Sequence, residues 1–166
     1  GVGIQLDLSL AQELASAYGG TAYATARDGQ VSAVLDLPAE MPAGRRAVVL
    51  AIDDNPDLIA LFASYCEGTP FEFVHVREGR RAFEAIEAHQ PDVVLLDVML
   101  PDVDGWDLLL DLRADARTRG LPVVVCSVVT DEALALTLGA VAYLRKPVWR
   151  QQLLDALTQA LNRAGR

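Results

Sequence analysis

The chain has 166 residues, a formal net charge of -9 and 52% hydrophobic residues. The hydrophobic content excludes a disordered chain, and the acidic balance argues against a nucleic-acid surface as its main role. No apolar run approaches the roughly 18 residues of a membrane helix, and no signal-peptide pattern opens the chain, so we predict a cytoplasmic protein without a membrane segment.

The first 37 residues predict a small α+β segment. Leu10, Leu14 and Ala17 share one face of a predicted helix, which stops at Gly19-Gly20. Two predicted strands then flank Asp28-Gly29, a pair that favours a β-hairpin. The segment is too small to hold a core of its own. Residues 38–45, which contain proline, glycine and an arginine, predict a linker, and residues 46–166 a separate domain.

Five strand patterns follow the linker. Most are continuous apolar runs, which is typical of strands buried on both faces of a parallel sheet. The second run alternates, and we expect it near an edge. The predicted strands are Ala47–Ile52, Phe71–Val76, Val93–Val98, Leu121–Val128 and Val141–Leu144.

A helical pattern follows each strand. The first helix has Asn55 as its predicted N-cap and Pro56 in its first turn, and the fourth has Thr130 as its predicted cap and stops at Gly139. Five β-α units with right-handed crossovers predict an α/β fold, a single parallel sheet with helices on both sides. Cys66 and Cys126 lie far apart in apolar surroundings, which predicts buried thiols and neither a disulfide nor a zinc site.

Polar side chains stand where the buried strands end. Asp53 and Asp54 follow the first strand, Asp97 ends the third, Ser127 the fourth, and Lys146 follows the fifth. In open α/β sheets this edge is where ligands bind. Singly, each residue could be a turn, a cap or a surface group, but their joint occurrence in this order indicates a site.

Clustered carboxylates repel one another unless a cation lies among them, and a hard ion such as Mg²⁺ suits oxygen ligands. Lys146 adds a fixed positive charge, so the site suits a phosphoryl group. A carboxylate can also be the nucleophile that forms an aspartyl phosphate. Asp97 is the best placed of the three carboxylates for that role.

Four segments, VVLAIDDNPDL, PDVVLLDVMLPDVDGW, PVVVCSV and GAVAYLRKPV, resemble the receiver domain of two-component response regulators. The resemblance implies a flavodoxin-like (βα)5 doubly wound sheet with strand order 2-1-3-4-5 and a cis Lys146–Pro147 bond. It implies the following roles: Asp97 as phosphoacceptor, Asp53, Asp54, Asp97 and the Met99 carbonyl as Mg²⁺ ligands, Lys146 as the phosphoryl-contacting lysine, and Ser127 and Tyr143 as switch residues.

Two departures from the family pattern concern the output face. Val128 stands where the family usually has alanine, and the segment from Ser127 to Gly139 is shorter than usual. We therefore expect a short or displaced fourth helix. Similar shortened segments occur in receivers attached to hybrid histidine kinases, which is the parent protein that we predict.

The first 37 residues resemble the C-terminal end of a histidine-kinase ATP-binding domain, in which a helix stops at Gly-Gly and a hairpin ends at Leu-Pro. The glycine-rich ATP-lid motif is incomplete, because Gln5 and Asp7 stand where further glycine is expected. We therefore expect no ATP binding and no kinase activity. An unrelated N-terminal extension remains the alternative.

We predict a module that takes a phosphoryl group from a histidine kinase or a histidine phosphotransfer domain onto Asp97 and then switches a protein-contact face. Its enzymatic character would be phosphotransfer with weak self-dephosphorylation. No DNA-binding domain is expected, so the output would be protein contact or relay within the parent protein. One alternative is a docking module that no longer cycles phosphate. The other, an aspartyl-phosphate phosphohydrolase, needs a second Asp at the position of Met99.

Overall fold

A computed structural model describes residues 21–27, 30–36 and 46–164 of the chain, which divides into two compact units, Gly1–Arg45 and Arg46–Arg166. In the first unit, β1 (Thr21–Arg27) and β2 (Gln30–Asp36) pair antiparallel, with Arg27 opposite Gln30. The predicted hairpin is therefore confirmed. The predicted helix before it and the predicted linker lie outside the described residues.

The second unit is built of five β-α repeats. Its strands are β3 (Ala47–Ile52), β4 (Phe71–Val76), β5 (Val93–Leu96), β6 (Val123–Ser127) and β7 (Ala142–Arg145). Its helices are α1 (Pro56–Cys66), α2 (Ala82–His89), which follows a 3-10 turn over Gly79–Arg81, α3 (Gly105–Ala114), α4 (Glu132–Thr137) and α5 (Arg150–Ala164).

The five strands form one parallel sheet in the order β4-β3-β5-β6-β7. Counted from β3, this is 2-1-3-4-5, so the flavodoxin-like fold is confirmed. Strand β4 lies at one edge, as its alternating pattern predicts. The apolar runs of β3, β5 and β6 are buried because helices cover both faces of the sheet.

Two apolar layers flank the sheet. On one face α1 and α5 pack through Phe62, Cys66, Leu153 and Leu157. On the other face α2, α3 and α4 pack through a second cluster that includes Ala82, Leu108, Leu109, Leu112 and Ala135. Both cysteines are free and buried, as predicted. None of the helices in the described part of the chain combines the length and the apolar character needed to cross a bilayer.

Local signals set most helix starts. The side chain of Asn55 accepts hydrogen bonds from the backbone N–H groups of Asp57 and Leu58, and Pro56 stands in the first turn, as predicted. The predicted Thr130 cap is wrong, because Asp131 caps α4 by accepting from Leu134 N. Helix α4 has only 6 residues, which agrees with the short fourth helix expected from the sequence.

Strand β5 is shorter than predicted. It ends at Leu96, although Asp97 N still donates to Ile52 O at 2.9 Å. Two residues later, Met99 N donates to the Asp97 side chain and not to the neighbouring strand, so the ladder pairing stops there. Asp97 consequently lies just beyond the carboxyl end of β5 and not within the strand.

Candidate phosphoryl-acceptor site

The site lies at the carboxyl ends of β3, β5 and β7, where one ammonium group contacts two carboxylates. Lys146 Nζ donates to Asp53 Oδ2 at 2.6 Å and to Asp97 Oδ2 at 2.5 Å. Asp53 is 6% exposed and Asp97 5% exposed. The three predicted side chains, which are far apart in the sequence, therefore meet in a nearly closed site because parallel strands end at the same edge.

Backbone contacts position each carboxylate. Met99 N donates to Asp97 Oδ1 at 2.8 Å, and Asn55 N donates to Asp53 Oδ1 at 2.9 Å. In both carboxylates one oxygen is thus fixed by the chain just after the strand, while the other oxygen faces Lys146. The backbone N–H donors therefore fix the orientation of both carboxylates toward the ammonium group.

The pKa of Lys146 reflects opposing effects. Burial lowers it, but the hydrogen bonds to Asp53 and Asp97 and the charges of the two carboxylates outweigh burial, so the pKa of Lys146 is raised above its ordinary value. The lysine therefore stays cationic at neutral pH. Two carboxylates against one ammonium leave the cluster with one surplus negative charge.

The remaining predicted metal ligands are placed differently. Asp54 follows Asp53 directly but is exposed, and Met99 is 55% exposed on the loop after Asp97. Within residues 21–27, 30–36 and 46–164, no three acidic, histidine or cysteine side chains gather closely enough to hold a metal ion. The predicted ligand set therefore stays a prediction.

The predicted switch residues lie beside this cluster. Ser127 ends β6, is fully buried, and its hydroxyl has no hydrogen-bond partner among the described residues. Lys146 N donates to Ser127 O at 3.0 Å, which ties the lysine to the same strand end. The Tyr143 hydroxyl donates to the carbonyl of Val129, two residues after Ser127. Burial raises the pKa of Tyr143, so the hydroxyl keeps the proton that it donates.

Sequence reasoning missed one residue next to the site. The Asp102 carboxylate, on the loop after Asp97, accepts the backbone N–H groups of Gly79 and Arg80 at 3.0 and 3.1 Å. A side chain that contacts backbone more than twenty residues away leaves no periodic or capping signal in the sequence. Only the positions of the two loops reveal this contact.

Comparisons with known proteins agree with this geometry. Residues 49–158 match the family model described as "Response regulator receiver domain". The chain is 34% identical over 121 residues to the DNA-binding response regulator MtrA of Mycolicibacterium smegmatis, covering 71% of this chain and 52% of that protein. It thus spans about half the length of the curated relatives it matches.

Solved structures show the same fold at similar identity. A sensor protein from Polaromonas sp. JS666 superposes with a TM-score of 0.66 at 29% identity, covering 72% of this chain and 98% of that chain. The signal receiver domain of a signal transduction histidine kinase from Syntrophus aciditrophicus gives a TM-score of 0.66 at 26% identity, covering 72% and 93%. This chain therefore belongs to the response regulator receiver family, the phospho-accepting modules of two-component signal transduction.

Proposed function

We propose that Asp97 is the phosphoacceptor and that its donor is a phosphohistidine of a histidine kinase or a histidine phosphotransfer domain. The observation that carries the proposal is the Lys146 ammonium held between Asp53 and Asp97 in a nearly closed site. One carboxylate is thereby aligned as a nucleophile beside a cation that is permanently charged at neutral pH. The second carboxylate gives the site its negative surplus.

In the transfer, a carboxylate oxygen of Asp97 attacks phosphorus, and the bond between phosphorus and the donor imidazole breaks. The electron pair of that bond stays with the imidazole. The Lys146 ammonium already contacts Asp97, so it can stabilise the negative charge that develops on the phosphoryl oxygens. Met99 N, bonded to Asp97 Oδ1, keeps the carboxylate from rotating during the attack.

Mg²⁺ fits this site in charge and in donor chemistry. The surplus negative charge calls for another cation, and carboxylate and carbonyl oxygens are the ligands that Mg²⁺ prefers. We assign the ligands as Asp53, Asp54, Asp97 and the Met99 carbonyl. When bound, Mg²⁺ would offset negative charge on the phosphoryl oxygens.

We assign the switch to Ser127 and Tyr143. The buried Ser127 hydroxyl without a partner is a donor available to a phosphoryl oxygen on Asp97. A shift of the chain after Ser127 would carry along the Val129 carbonyl that Tyr143 contacts. Phosphorylation would in this way bias the surface around α4 and β7 between two arrangements.

The test is intact mass spectrometry after incubation with acetyl phosphate and Mg²⁺. We expect wild type and Asp111→Asn, a change at an exposed carboxylate of α3, to gain one phosphoryl group. We expect Asp97→Asn to gain none. A gain by Asp97→Asn would assign the acceptor elsewhere, and no gain in any folded variant would favour the docking module.

The parent protein is a separate proposal. We propose a hybrid histidine kinase, in which residues 1–37 end the ATP-binding domain. The resemblance of that segment, the β1–β2 hairpin and the histidine-kinase receiver among the solved structures support it. The MtrA similarity favours instead a DNA-binding response regulator as the parent. The gene sequence upstream of the Gly1 codon decides: a glycine-rich nucleotide-binding segment in frame supports the kinase, and its absence rejects it.

A further inference from the structure

The loop from Asp97 to Asp104 is fastened to the turn that precedes α2. Asp102 Oδ1 accepts from Gly79 N at 3.0 Å, and Asp102 Oδ2 accepts from Arg80 N at 3.1 Å. Both oxygens of one carboxylate are therefore used, and both donors belong to a different element of the fold. The Arg80 amide, followed by the Gly79 amide, keeps the pKa of Asp102 below its ordinary value, so the carboxylate stays charged.

Packing joins the same two segments independently of these hydrogen bonds. Gly79 is buried, and a Cβ atom placed on it would lie 2.2 Å from Val103 Cγ2 and 2.8 Å from Leu100 Cδ1. Side chains on either side of Asp102 thus fill the space that the missing side chain of Gly79 leaves. The loop is held at this point by polar and apolar contacts together.

The stretch from Met99 to Asp102 is consequently fixed at both ends. At one end Met99 N is bonded to Asp97 Oδ1, and at the other end Asp102 is bonded to the turn at Gly79. Between them stand only Leu100 and Pro101, and the proline ring limits the backbone rotation further. The peptide that carries the Met99 carbonyl has little freedom to turn while Asp102 stays bonded.

We propose that Asp102 is a positioning residue for the metal, a clasp that holds the Met99 carbonyl in its ligating orientation from the turn at Gly79. This inference rests on the proposed Mg²⁺ site. Asp102 itself is not a ligand: both of its oxygens face backbone N–H groups. Removing a group that orients a metal ligand usually weakens metal binding by about 10- to 100-fold.

The test compares two carboxylates of the same loop in the full chain. Asp102→Ala removes the clasp. Asp104→Ala is the matched control, because the Asp104 carboxylate caps α3 by accepting from Trp106 N and Asp107 N. Mg²⁺ affinity is measured by isothermal titration calorimetry. Amide hydrogen exchange is measured without metal in the two loop peptides, 78–82 and 98–104, and in a third peptide, 105–110, that covers the start of α3.

We expect the Mg²⁺ Kd to rise about tenfold or more in Asp102→Ala and to change less than about twofold in Asp104→Ala. Asp102→Asn keeps one acceptor oxygen and should recover part of the affinity. Exchange should quicken in both loop peptides of Asp102→Ala, and only at the start of α3 in Asp104→Ala. Unchanged Mg²⁺ affinity in Asp102→Ala would overturn the clasp, whatever the exchange shows, as would an equal loss of affinity in both variants.

The two proposals fail in distinguishable ways. Wild type that binds no Mg²⁺ would overturn the proposed metal site and, with it, the positioning role of Asp102. Wild type that binds Mg²⁺ with the same Kd as Asp102→Ala would leave the metal site standing and would reject the clasp alone.

Discussion

Replacing Lys146 by methionine tests the charge balance of the site most directly. Both Asp53 Oδ2 and Asp97 Oδ2 lie within 2.6 Å of Lys146 Nζ. The two oxygens are therefore at most about 5 Å apart, and at an effective dielectric constant of about 20 they repel by about 3 kcal/mol once the ammonium is gone. Breaking a buried ion pair from one side costs about 3–5 kcal/mol. We expect Lys146→Met to lower the free energy of unfolding by that amount.

Removing one carboxylate should affect stability much less than removing the lysine. Asp97→Asn leaves a one-to-one pair of Lys146 and Asp53 without surplus charge, so we expect it to change the free energy of unfolding by less than about 1 kcal/mol. Added to Lys146→Met, the same substitution should restore part of the lost stability. In Lys146→Met the facing carboxylates raise each other's pKa. The folded state then takes up a proton before the unfolded state does, and the stability deficit should shrink as the pH falls from about 7 toward 5.

The assay is urea denaturation followed by far-ultraviolet circular dichroism in EDTA. Arg145→Met is the matched control. This neighbouring cation of β7 is exposed, so its removal should change the free energy of unfolding by less than about 0.5 kcal/mol. The reasoning is refuted if Asp97→Asn destabilises as much as Lys146→Met, or if Arg145→Met costs the same as Lys146→Met.

Three further measurements address other parts of the molecule. Burial raises the pKa of Cys66 to about 11 and that of Cys126 to about 12, so thiol reagents at pH 8 should label neither in the native protein and both after denaturation; rapid native labelling would contradict this. Gly105→Ala should cost about 2–3 kcal/mol in urea denaturation, because its Cβ would lie 2.3 Å from the Val98 backbone, and an unchanged midpoint would count against that close approach. Val129→Asn should shorten the lifetime of the phosphorylated protein, since the apolar side chain cannot orient an attacking water; equal decay in wild type and variant, followed by mass spectrometry, would reject this explanation.

The sequence alone predicts most of the site because all strands of a parallel sheet run in the same direction. Parallel strands all end at one edge, so any side chain directly after an apolar run is brought to that edge. Asp53 and Asp97 directly follow such a run, and Lys146 follows one after Arg145, so this arrangement of strands brings all three side chains to the same edge. The N-cap role of Asn55 can also be predicted from the sequence, because capping depends only on the residues that follow it.

Other features depend on choices that local sequence does not decide. Thr130 and Asp131 are both good caps, and only the backbone geometry selects Asp131, whose side chain reaches Leu134 N. The end of β5 is set by the Asp97 side chain, which takes the N–H of Met99 away from the ladder. Asp102 contacts a turn from another repeat, and periodicity carries no information about such contacts.

The order of the strands also determines where another chain could attach to the sheet. Strands β4 and β7 form its two edges, and edge strands offer unpaired backbone groups as templates for aggregation. On β4 the exposed side chains include Glu72 and His75, and β7 has only 4 residues and ends at the exposed Arg145. Polar side chains and short length both disfavour intermolecular strand pairing. Both edges of the sheet therefore carry features that disfavour the joining of copies of this domain into a continuous sheet.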